Sequence, residues 1–78
     1  MENLEKLKIA FSSSLGINIE NIDDNLAYGF IGWDSVAHMK LIAAIEDAFD
    51  IMLDTDDVID MSSFSKAKEL IGKYDIIF

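Results

Sequence analysis

The sequence has no cysteine, no proline and no arginine, and only four glycines in 78 residues. Without cysteine the chain forms no disulfide and has no thiolate chemistry of its own, which fits a reducing cytosol. Positive charge is scarce. Six Lys stand against 15 Asp and Glu, for a formal charge of −9. Neutralising phosphates takes a basic surface, so this balance excludes nucleic acid as a natural partner. It weighs equally against anionic membrane surfaces and makes basic proteins the expected partners. No stretch reaches the ~18 uninterrupted apolar residues of a membrane span, so no membrane insertion is expected. The opening Met1-Glu2-Asn3-Leu4-Glu5 is acidic and amphipathic, the wrong character for a secretory signal. A cytoplasmic location and a monomer are expected.

What is present is apolar: 51% of the residues, enough to bury a core despite the charge. The length fits one domain over residues 1–78. A fold of this size buries only about 60% of the surface its unfolded chain exposes. A deep, water-excluding active site is hard to build at that scale. The chain reads as a protein that is acted upon, not as an enzyme.

Apolar periodicity divides the chain into helices. Leu4, Leu7, Ala10 and Phe11 recur at helical spacing over residues 3–15, and Gly16 follows as a left-handed C-cap. Residues 16–34 are crowded with turn formers: Asn18, Asn21, Asp23, Asp24, Asn25, Gly29 and Gly32. So long a connection in a small domain usually means function. Its apolar residues Ile17, Ile19, Ile22, Leu26, Phe30 and Trp33 are expected to pin it across the bundle, with a helical turn near residues 22–27.

Residues 35–49 make the clearest helix, with Met39, Ile42, Ile45 and Phe49 on one stripe and Asp34 and Ser35 placed to cap it. After Asp50 and the link Ile51-Met52-Leu53, Asp54 or Thr55 opens a brief helix to about Asp60, with Val58, Ile59 and Met61 expected to face inward. Ser62 and Ser63 open the last helix, where Phe64, Ala67, Leu70, Ile71 and Tyr74 repeat. The predicted fold is all-α: a four-helix bundle of three main helices and one short third helix, with a long ordered loop between the first two.

The charge is unevenly spread. Residues 34–60 hold eight acids and only Lys40, a net of −7, whereas residues 61–78 are net +1. A solvated face accounts for this pattern. So does a docking face, because crowded like charges repel on so small a fold and a negative surface speeds encounter with basic partners.

Near that face lies Ser35, in Gly32-Trp33-Asp34-Ser35-Val36, where the turn-rich loop meets a helix N-terminus. Free N–H groups and the helix dipole favour anions there. Such a serine serves as a plain N-cap or as an exposed attachment point for a phosphodiester.

The whole chain resembles the acyl carrier proteins. Their hallmark is Asp-Ser-Leu at the start of the second of four helices, with that helix ending in Glu-Glu-x-Phe-x-Ile. Here the matching residues are Asp34-Ser35-Val36 and Glu46-Asp47-Ala48-Phe49-Asp50-Ile51. The acidic short third helix, Ser62-Ser63 and the last helix follow in family order. The resemblance implies that Ser35 receives a 4′-phosphopantetheine arm from coenzyme A through a separate phosphopantetheinyl transferase, and that Asp34 assists the transfer. It implies a carrier of acyl thioesters that docks acyl-loading and acyl-using enzymes with basic surfaces. The docking residues it implies are Val36, Met39, Lys40, Glu46, Asp47, Asp54, Asp56 and Asp57. Ile45, Phe49, Leu53, Val58 and Met61 are either ordinary core or an acyl shelter; the adaptable shapes of Met52 and Met61 keep both readings open.

Two departures bear on pathway. Family members in general fatty-acid synthesis carry acids two and five positions after the serine, where this chain has Ala37 and Lys40. Trp33 and His38 instead resemble residues of specialised carriers in polysaccharide or secondary pathways.

Rival readings fare less well. Ser35, His38 and Asp34 do not make a hydrolase, since a nucleophile elbow needs Gly on both sides of the serine and Trp33 and Ala37 stand there. His38 is expected on the surface near the docking face. The acids from Asp54 to Asp60 fail the calcium-loop template, which needs Gly at its sixth position and Glu at its twelfth; Ile59 and Ser65 stand there. No metal ligand set is expected. An acidic helical adaptor without an arm, and a carrier of amino acids, remain as alternatives.

Overall fold

A computed structural model describes residues 2–30 and 32–78. Among these residues four helices follow in order, α1 (Asn3–Leu15), α2 (Ser35–Phe49), α3 (Thr55–Asp60) and α4 (Phe64–Gly72), with a 3-10 turn at Ile19–Asn21 between α1 and α2. Among the described residues there is no strand, only an isolated antiparallel bridge between Ala27 and Ser63. The all-α bundle read from periodicity is the one observed.

Each helix buries the stripe its sequence offers. α1 buries Leu7, Ala10, Phe11 and Leu15; α2 buries Leu41, Ile42 and Ile45; α4 buries Phe64, Ala67, Leu70 and Ile71. Gly16 closes α1 in the left-handed region at φ 69°, its N–H donating to the Ser12 carbonyl. Asp50 closes α2 in the same region at φ 54°. α4 stops at Gly72, so Tyr74 lies beyond the helix instead of on its stripe.

The long loop departs from its predicted form. The helical turn falls at Ile19–Asn21 and not near residues 22–27, because Asp23 begins a tighter structure. Its carboxylate accepts the Asn25 N–H at 2.9 Å and its carbonyl accepts the Leu26 N–H at 3.1 Å, a turn that competes with helix. Ile22, Leu26 and Trp33 anchor the loop in the core, while Ile19 and Phe30 point to solvent. The loop is then tied to the start of α4 by backbone bonds from Tyr28 N–H to the Ser62 carbonyl at 2.8 Å and from Phe64 N–H to the Leu26 carbonyl at 3.0 Å. The last residues also pack back, with Asn3 Nδ2 donating to the Ile77 carbonyl and Phe78 meeting Phe49 edge-on.

Gly32 sets the final approach to α2. Its φ is +88°, and a Cβ built there would lie 2.6 Å from the Leu15 carbonyl oxygen, a backbone atom unable to swing away. Gly32→Ala combines that clash with a left-handed strain of about 1–3 kcal/mol. A urea titration should show a loss in or above that range. Gly29 has open space around its Cβ position, so Gly29→Ala should lose only its backbone share.

Candidate functional site

The site begins with a cap. Two turns, Phe30 N–H to the Ala27 carbonyl at 3.2 Å and Trp33 N–H to the Phe30 carbonyl at 2.9 Å, deliver the chain to Asp34. Asp34 takes the N-cap position of α2, and its Oδ1 accepts the Ala37 N–H at 2.8 Å. Ser35 therefore becomes the first helical residue instead of the cap. It is exposed, and among the described residues its hydroxyl has no hydrogen-bond partner. Asp34→Ala should cost about 0.5–2 kcal/mol in denaturant melts. Ser35→Ala should change stability by no more than about 0.5 kcal/mol, as surface substitutions do.

Beside Ser35 runs an apolar groove of about 420 Å³. α2 contributes Ser35, His38 and Met39, α3 contributes Val58 and Ile59, and Tyr28, Met61 and Ser62 complete it. The volume lies toward the lower end of ligand sites, roughly 300–1,000 Å³.

His38 lies in this groove, half-buried, which corrects the expected surface placement. Its Nδ1 accepts the Trp33 indole N–H at 3.0 Å, and its Nε2 is 2.8 Å from the Val58 carbonyl oxygen. An indole nitrogen only donates and a carbonyl only accepts. The ring proton must therefore sit on Nε2. The imidazole and indole planes differ by 20° with centroids 6.1 Å apart, so the hydrogen bond joins two nearly parallel rings.

The model of the phosphopantetheine attachment site family matches residues 5–71. The chain belongs to that family. No solved structure matched it. Members are carrier domains, not enzymes; they bear a covalent 4′-phosphopantetheine group and interact with phosphopantetheinyl transferases and acyl-handling enzymes. The residues at the start of α2 fit that group: an exposed hydroxyl free of capping duty stands at a helix N-terminus suited to phosphate, beside an apolar groove. The chain's lack of cysteine fits as well, because the working thiol belongs to the group. No helix among the described residues is long and apolar enough to cross a membrane.

The other residues singled out in the sequence fall into distinct settings. Val36 and Met39 flank Ser35 at 66% and 60% exposure, and Lys40 is exposed on the same helix. Asp47, Asp54 and Asp56 are exposed. Glu46 is half-buried, its Oε2 accepting the Leu53 N–H at 2.9 Å, so it braces the link after α2. Val58 and Met61 line the groove beside Ser35, whereas Ile45, Phe49 and Leu53 do not; Ile45 and Leu53 are buried core and Phe49 is packed against it. Ile59, expected inside, is 73% exposed and rims the groove.

Asp57 is the clearest correction. It is the one buried charged residue among those described, so its carboxylate is not offered at the surface. Its Oδ1 accepts from Lys73 Nζ at 2.6 Å and its Oδ2 from the Tyr74 hydroxyl at 2.6 Å. The Tyr74 oxygen in turn accepts the Asp54 N–H at 3.0 Å. The hydrogen bonds from Lys73 and then Tyr74 hold the Asp57 carboxyl below its ordinary range. The bond to Asp57 raises both Lys73 and Tyr74 above theirs.

Sequence reasoning missed Tyr28 and Ser62 in the groove and the two bonds of His38. A signal existed for the second. Trp33 had to be buried to anchor the loop, and a buried indole N–H needs an acceptor. His38, one turn into α2, is a nearby side chain able to accept it.

Proposed function

We propose that Ser35 bears the 4′-phosphopantetheine arm, and that residues 1–78 form a single cytoplasmic carrier domain presenting an acyl group to the enzymes of a specialised lipid, polysaccharide or secondary pathway. The observation that carries this reading is the division of labour at α2: Asp34 caps the helix, which leaves the adjacent Ser35 hydroxyl exposed and, among the described residues, unengaged. When attached, the group supplies the thiol on which an acyl chain is borne as a thioester. The protein's part is to hold the phosphodiester at Ser35, with the N-terminus of α2 favouring its negative charge. Asp34 keeps one oxygen on the Ala37 N–H, and its other oxygen, on an exposed residue, would assist the transfer.

Partner choice follows from the surface. Val36 and Met39 offer apolar contacts beside Ser35, Asp47, Asp54 and Asp56 offer negative charge, and Lys40 puts a positive charge among them. A lysine on a docking helix repels an enzyme surface built for an acid there, which separates dedicated from general partners. Family membership weighs against the armless adaptor.

Incubation with coenzyme A, magnesium and a broad-specificity phosphopantetheinyl transferase, followed by peptide mapping, tests the assignment. The arm is expected on the peptide containing Ser35. An arm at any other serine would overturn it. General fatty-acid enzymes should load the modified protein poorly, and efficient loading would sink the specialised reading.

A further inference from the structure

In the groove beside Ser35 one side chain ties the loop, α2 and α3 together. His38 joins Trp33 of the loop to Val58 of α3, through 3.0 Å and 2.8 Å contacts on opposite edges of its ring. The second contact holds the backbone of α3 against α2 at the groove. The first holds the ring against an indole that is 1% exposed, with the two planes 20° apart. Behind the indole the aromatics continue without a break: Trp33 meets Phe11 edge-on at 5.3 Å, and Phe11 meets Phe64 edge-on at 5.0 Å. Tyr28 packs edge-on against both His38 and Trp33, at 5.8 Å and 6.2 Å. Met61, also at the groove, is 1% exposed. An apolar chain entering from the Ser35 side must therefore part α3 from α2. Doing so breaks the bond to Val58 and leaves the half-buried His38 Nε2–H, whose ring holds the indole, without its acceptor, which is costly in an apolar interior.

We propose that the Trp33–His38–Val58 chain is a latch that keeps cargo carried at Ser35 in the surface groove and out of the core, making His38 a specificity-determining residue for the length of acyl chain this protein shelters. The proposal rests on Ser35 being the attachment point. It assigns His38 a positioning role through α3, with no part in the chemistry of attachment.

The test loads the wild-type protein and His38→Ala with acetyl and octanoyl arms from the corresponding coenzyme A thioesters. Two readouts are followed, the Trp33 indole N–H resonance and the melting temperature. In the wild type the indole resonance should be the same in both forms and the two should melt together. In His38→Ala the indole N–H should exchange with solvent on the order of tenfold faster before any loading, as expected for a lost buried hydrogen bond. The octanoyl form of that variant should melt several degrees above its acetyl form. A wild-type indole that shifts with octanoyl, or a wild-type octanoyl form that gains as much stability as the variant, would show the core already open and overturn the proposal. Equal melting of the two variant forms would overturn it too.

His38→Gln keeps an acceptor and a donor and should behave as the wild type, whereas His38→Leu, which fills the space with neither bond, takes the place of His38→Ala if that variant does not fold. Opening by His38→Gln as wide as by His38→Ala would count against the latch. Absence of any mass gain on loading would defeat the attachment reading instead. The latch would then stand or fall on indole exchange in the unmodified variants.

Discussion

Trp33→Ala is expected to remove about 3–5 kcal/mol of stability, the range for truncating a large buried aromatic. Domains hold about 5–15 kcal/mol in total, and small ones bury the least surface. The variant should therefore lie close to its unfolding threshold at room temperature. The size of the effect comes from position as much as from side-chain volume. Trp33 is 1% exposed, packs edge-on against Phe11 and near Tyr28, and supplies the indole that orients His38. It is also the last loop anchor before Asp34 and Ser35. Losing it removes packing and frees the segment that delivers the serine to α2. Phe30→Ala is the control, because Phe30 lies in the same loop but is 59% exposed. That change should stay within about 0.5 kcal/mol. Equal losses in urea melts of the two variants would refute the account of how the loop is anchored.

The second large effect is on pH. The Asp57 carboxyl is depressed below its ordinary value of 3.8, chiefly by Lys73 and then Tyr74. A group depressed in the fold stabilises it above its unfolded value and loses that contribution as pH falls through the folded one. The bonds from Lys73 and Tyr74 to Asp57 should therefore hold α3 from above about pH 4 and fail in stronger acid. Lys73 and Tyr74 are raised from 10.5 and 10.0, so their contributions are present below those values and vanish as pH climbs past their folded ones. Lys73 is largely exposed, and solvent screens its share. Asp57 is one carboxylate among many in the chain, so the informative curve is the wild type minus Asp57→Asn. That difference in melting temperature should be flat and positive through neutral pH, then shrink toward zero below pH 4. A difference independent of pH would mean that the ionised carboxylate contributes nothing to the fold.

These two residues mark where the sequence was readable and where it was not. The helices were legible because their apolar stripes repeat at helical spacing and Gly16 and Asp50 sit where helices must stop. Ser35 stood out because a turn-rich loop, an Asp-Ser pair and an apolar helix occur in series. Asp57 was misjudged for a physical reason: in α3 it is one acid among several, and nothing local distinguishes it. Its burial is set by Lys73 and Tyr74, sixteen and seventeen residues away. Ile59 was misplaced because a helix as short as α3 gives too few turns to define a face. His38 was misjudged because its two partners come from the loop and α3, and only the tertiary fold joins them. Local pattern gave the elements and the serine, whereas the contacts that hold α3 in place were settled between elements distant in sequence.

Intact mass of wild type and Ser35→Ala, each with its melting temperature, after treatment with coenzyme A, magnesium and a phosphopantetheinyl transferase bears most directly on the central claim. One arm's mass is expected on the wild type and none on Ser35→Ala, with nearly equal melting before treatment, because Asp34 and not Ser35 caps α2. A Ser35→Ala protein that still gains the arm would contradict it. So would a folded wild type that gains nothing while Ser35→Ala loses the stability expected of a missing cap.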